Sequence, residues 1–242
     1  MLSAAARRIV PLLGPLRVTA DPGAVVPPGS IVAANHTSLA DPAVVLAALH
    51  RLGVQPVVMA AAGLWRVPVL GRLLTRGGHI PVRRGTAQAA ASLDAAAAAL
   101  ADGRVILVYG EGGLPRRVDV AEAPPGAFRS GPARLALATG APLVPLGQAG
   151  ARRISSGRTA KQLAGVLTAP VRRPALHVHL GTPLTLSGDV PAATAQAHAA
   201  VTAAWRTAAG RAAPGPAPET RRTPGSAGVL RGGDGAGGAR AQ

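Results

Sequence analysis

The stretch IVAANHTSLADPAVVLAALHRL, residues 31–52, decides the fold. Four apolar residues, Ile31 to Ala34, form a run too short for a helix and read as a buried strand. Asn35–Ala40 is polar and loop-like. Asp41-Pro42 then opens a helix to about Leu52, since proline suits a first turn, where its missing N–H has no helical partner. The same alternation continues outward. Val57–Met59, Ile80–Val82, Val105–Tyr109, Leu143–Leu146 and Leu176–Leu180 read as further strands. Between and after them, Thr86–Leu100 is an alanine-rich helix, Gly131–Thr139 a helix closed by Gly140, and Pro191–Gly210 a last helix. Strands alternating with helices predict a single α/β domain with a mixed, largely parallel sheet flanked by helices.

One such domain accounts for most of the 242 residues. Residues 1–20 read as a basic amphipathic N-terminal segment, 21–211 as the domain and 212–242 as a disordered Pro/Gly/Arg-rich tail. The tail has no apolar periodicity to offset the entropy of ordering it. Pro11, Gly14 and Pro15 interrupt the apolar N-terminus and argue against an export signal. No uninterrupted apolar run is long enough for a membrane-spanning helix.

The chain has no cysteine, which excludes thiolate metal sites and a cysteine nucleophile. Its formal charge is +16. Four tail arginines face Glu219 and Asp234, so +14 stays on the rest. Lys161 is the only lysine, so the charge is almost wholly guanidinium, which suits phosphate oxygens and other anionic partners. Nucleic acid is disfavoured, because aromatic residues for base stacking make up only 2% of the chain.

Nucleotide-binding signatures fail on context. The tail's Gly233–Gly238 matches G-x-G-x-x-G without a strand before it or a helix after it. There is no G-x-S-x-G elbow. The pair His36 and Asp41 stands out instead. A loop turning back on itself brings the Asp41 carboxylate to one imidazole nitrogen, leaving the other to take a proton from a hydroxyl. Taken alone, such a pair is more often a helix cap beside a loop histidine.

Other blocks change that balance. N-H-x-x-x-x-D, here NHTSLAD, resembles the first signature block of the glycerolipid acyltransferases, the 1-acylglycerol-3-phosphate acyltransferase-like family. Gly78–Arg84 resembles the second block, aligning its arginine with Arg84. Tyr109-Gly110-Glu111-Gly112 resembles the third, Phe128–Gly131 the F-[KR]-x-G after it, and Ala141–Leu146 the fourth. The blocks occur in family order over roughly residues 31–150.

The resemblance implies a glycerol-3-phosphate acyltransferase-like fold. It also implies His36 as general base and Asp41 as the group that orients it. The reaction it implies moves a fatty acyl group from acyl-CoA or acyl carrier protein to the hydroxyl of a lysophospholipid acceptor, 1-acylglycerol 3-phosphate. No cofactor is expected beyond that acyl thioester donor, and no metal. Arg84, with Glu111 and Gly112, is expected to help bind the acceptor. The third block departs from the family's E-G-T-R-S, with Leu114 where the arginine stands. Arg116 and Arg129 are the expected substitutes. A different lysolipid or polyol acceptor is the first alternative, and a non-catalytic basic binder of membrane or nucleic acid the second. The expected location is cytoplasmic, peripheral to the inner face of the cell membrane, with Leu64–Arg76 as the apolar, arginine-rimmed segment facing anionic lipid. His177 and His179 alternate on one strand but lack acidic neighbours in sequence that would complete a metal site.

Overall fold

The computed structural model describes residues 2–83, 85, 88–114 and 119–212. Arg84, Arg116 and the tail from residue 213 lie outside the described residues.

Seven strands form one sheet: β1 (Leu16–Ala20), β2 (Ile31–Ala34), β3 (Val57–Ala61), β4 (Ile80–Val82), β5 (Ile106–Tyr109), β6 (Leu143–Ala149) and β7 (Leu176–Leu180). Their order is β1-β7-β6-β2-β5-β3-β4. Five strands, from β6 to β4, run parallel, and β7 pairs antiparallel with β6. Strands buried on both faces must be apolar throughout. β2, at the centre, meets that demand with every residue buried.

Helices α1 (Leu2–Leu13), α2 (Asp41–Arg51), α3 (Pro68–Arg76), α4 (Gln88–Ala101), α5 (Gly131–Thr139), α6 (Thr159–Arg172) and α7 (Val190–Ala212) cover the sheet. Val32 and Ala34 point to the face covered by α1 and α2, and Ile31 and Ala33 to that covered by α4, α5 and α7, as the strand period of two requires.

The expected fold class is the observed one, with three differences. Residues 2–20 do not stand apart: Ala6 and Val10 of α1 pack in the core, and β1 pairs with β7 over its whole length. The boundary expected after residue 20 therefore has no structural counterpart. Leu64–Arg76 divides into a 3-10 turn, Ala62–Arg66, and α3. β1 and α6 were not expected from the sequence. β1 is a short edge strand begun directly after Gly14-Pro15, and α6 contains both Gly165 and Pro170.

Candidate active site

Because β2, β5 and β6 are parallel neighbours, their carboxyl ends open at one edge of the sheet, the usual place for a ligand in such folds. β2 leads into His36, β5 into Glu111, and β6 into a short turn holding Arg152.

The 35–41 loop is clamped through its polar side chains. Asn35 and the Gln148 backbone exchange two hydrogen bonds, of 3.1 and 2.8 Å, that tie the loop to β6. The Ser38 hydroxyl donates to the Ser155 carbonyl at 2.6 Å. Arg152 donates to the Thr37 carbonyl at 2.9 Å. One oxygen of Asp41, Oδ2, accepts from the Thr37 and Ser38 backbone N–H groups and lies 3.0 Å from His36 Nδ1. Asp41 is fully buried, and its other oxygen has no partner among the described residues. The buried carboxylate fixes Nδ1 as the protonated nitrogen, so Nε2 is left with its lone pair.

His36 is held from two further sides. Its ring stacks on Tyr109, centroids 4.3 Å apart and 28° from parallel. Its backbone N–H donates to Glu111 Oε2 at 3.1 Å. Burial, then the Asp41 and Glu111 charges, pushes the Tyr109 phenol well above its ordinary range, so it stays protonated. Burial likewise raises the Glu111 carboxyl to about 7, against the opposing pull of backbone N–H donors. Between its ordinary value of 4.5 and about 7, the folded chain keeps a proton here that the unfolded chain releases. Stability from this group therefore falls as pH rises through that window. Urea melts of Glu111→Gln across it are expected to lose this slope; an unchanged slope would assign it elsewhere.

His36, Thr37, Glu111, Gly112 and Arg129 line a cavity of about 520 Å³, with Leu114 and Arg152 also on its wall. Thus His36, Asp41, Glu111, Gly112 and Arg129 come together at one site. Sequence reasoning missed Tyr109 and Arg152 as site residues. Arg152 is almost completely buried and also donates to the Asp119 carbonyl. The only sequence signal for it was an Arg-Arg pair just after the fourth block. Gly110 is held tightly as well. Its N–H donates to the Ala34 carbonyl at 3.1 Å, and a Cβ there would lie 2.2 Å from the Phe128 ring. Proline would lose the bond and meet the ring.

His179 has a structural task. It lies between Thr19 Oγ1 at 2.9 Å and Asp21 Oδ1 at 3.0 Å, tying β7 to β1. Among the described residues no three His, Cys, Asp or Glu side chains gather as metal ligands.

The family model for Acyltransferase matches residues 21–148, from the end of β1 through the cavity-forming strands. No curated protein sequence matches. Among solved structures, the crystal structure of the 1-acyl-sn-glycerophosphate (LPA) acyltransferase PlsC from Thermotoga maritima superposes with a TM-score of 0.63 at 15% identity, over 88% of this chain and 80% of that one. At that identity the superposition speaks for the fold. The family match covers more than half of the chain, including the His36–Asp41 pair and Glu111, and the chain belongs to the acyltransferase family.

Proposed function

We propose that this chain transfers a fatty acyl group from an acyl thioester to the free hydroxyl of 1-acylglycerol 3-phosphate. The observation that carries the reading is the His36–Asp41 pair opening on a cavity walled by Arg129 and Arg152. The Thermotoga relative of the same fold is named for that acceptor.

His36 Nε2 takes the hydroxyl proton as the acceptor oxygen attacks the thioester carbonyl. Asp41 stabilises the imidazolium that forms, in the manner of a triad whose nucleophile is the substrate. The tetrahedral intermediate expels the thiolate, and the imidazolium returns the proton to sulfur. Ester and thiol result, with no acyl-enzyme. Glu111 holds the His36 backbone, and Arg129 supplies a guanidinium for the acceptor phosphate. Arg84 and Arg116 keep the same proposed role. The strongly basic body suits the phosphates of acyl-CoA and the acidic surface of an acyl carrier protein alike. The reaction belongs at the cytoplasmic face of the cell membrane, where a lysophospholipid resides.

The test is thiol release from palmitoyl-CoA with 1-acylglycerol 3-phosphate, glycerol 3-phosphate or monoacylglycerol as acceptor. Release is expected with the first and at least about ten-fold slower with monoacylglycerol, given the worth of charged hydrogen bonds to phosphate. Equal rates would remove the phosphate from recognition and favour the polyol reading, for which Leu114 on the cavity wall is the motive.

A further inference from the structure

A surface helix normally turns its apolar stripe to the core. α6 does the reverse. Leu163, Val166, Leu167 and Val171, at spacing i, i+3, i+4 and i+8, are 61%, 41%, 78% and 87% exposed. Its opposite face meets the body through small residues. Ala169 is its one buried residue, and a Cβ at Gly165 would lie 2.3 Å from the Ile154 carbonyl oxygen. The close approach requires glycine there, and it fixes the apolar stripe outward.

The stripe is not isolated. α1 presents Ile9 and Leu12 to solvent. Between α1, α6 and the start of α2 runs an apolar groove of about 320 Å³, walled by Val10, Leu13, Leu39, Val44, Ile154 and Leu163. Leu39 sits within the loop that joins His36 to Asp41 and is itself 59% exposed. Arg7 and Arg8 are exposed on α1, Lys161 and Arg172 on α6, and Arg158 and Arg173 at its two ends, with the Arg172 guanidinium donating to the Arg153 and Gly165 carbonyls. Neither helix has a carboxylate, and none occurs between Glu122 and Asp189.

We propose that α6 and the adjoining edge of α1 are the surface by which this chain docks on an anionic lipid bilayer. An apolar stripe rimmed by cations matches acyl chains and anionic headgroups together. A second copy would bring a like-charged rim and another +16 to the same contact. Docking there sets the catalytic loop at the lipid interface through Leu39. The proposal deepens the acyl-transfer reading and rests on it for a lipid substrate. It also moves the membrane contact away from Leu64–Arg76, where Leu64, Val67 and Val69 are the exposed large apolar residues.

The experiment is flotation of the full chain with phosphatidylglycerol–phosphatidylcholine vesicles and with phosphatidylcholine alone. The wild type is expected to float with the anionic vesicles. Leu167→Glu/Val171→Glu is expected to weaken that binding about ten-fold or more. Val69→Glu is expected to float like the wild type. Leu167→Ser/Val171→Ser, which removes apolar area without adding charge, replaces the glutamate pair if the latter melts early. Undiminished flotation of the α6 variants, loss confined to Val69→Glu, or a wild-type dimer that the α6 variants dissolve would each overturn the proposal. Wild-type turnover of a water-soluble short-chain thioester with a water-soluble short-chain 1-acylglycerol 3-phosphate, without vesicles, reports the chemistry separately. Turnover without flotation overturns the docking surface alone. Flotation without turnover supports it and overturns the acyl-transfer reading alone.

Discussion

His36→Ala is expected to lower kcat for acyl transfer by about 10³-fold, within the range that positioned acid–base groups supply. His36 is the group at the cavity whose second ring nitrogen is oriented by a buried carboxylate. The substitution leaves the Glu111 contact standing, because that bond is to the backbone N–H of residue 36. It also leaves the three hydrogen bonds that tie the loop to β6 and the residues after it, from Gln148 N–H to Asn35, from Arg152 to the Thr37 carbonyl and from the Ser38 hydroxyl to the Ser155 carbonyl. A folded protein with unchanged acceptor KM and a collapsed kcat is the expected result. Steady-state thiol release with a parallel thermal melt reads both. A kcat loss below about ten-fold would mean that another group takes the proton.

Asp41→Asn is expected to cost about 10²-fold or more in kcat while the chain still folds. Among the described residues only Oδ2 of Asp41 is engaged, with two backbone N–H groups and Nδ1, and Oδ1 is buried without a partner. An asparagine with its oxygen in the Oδ2 position keeps those three bonds, so the loop survives. It gives up the negative charge that stabilises the imidazolium and buries an amide NH₂ where no acceptor waits. The kcat effect should thus exceed the effect on KM, with a fall in stability of about 1–3 kcal/mol from the unpaired donor. Urea denaturation and kcat measured on one preparation separate the two. A variant with full kcat would show that Asp41 serves only as a loop clamp.

The two variants probe the part of the site that was most legible beforehand. Arg129 was legible too, through the block resemblance, and it does line the cavity. Tyr109 was read as the last residue of a strand, and nothing local to it says that its ring lies flat on His36. Arg152 was less visible still. Its burial depends on carbonyls at Thr37 and Asp119, one of them 115 positions away.

By itself the sequence determined the α/β alternation, the central apolar strand and the His36–Asp41 pair. The pair was legible because both residues lie in one loop, five positions apart, so local chain geometry suffices to join them. Tertiary structure alone decided that Glu111 and Tyr109 meet His36 and that Arg152 grips the same loop at Thr37. They reach it from β5 and from the turn after β6, which flank β2 only through the strand order of the sheet. Tertiary structure also decided the sense of α6. Periodicity yields an apolar stripe but not the side to which it faces. That side is chosen by close backbone contact at Gly165, which seats the small residues inward and leaves the leucines and valines to the solvent.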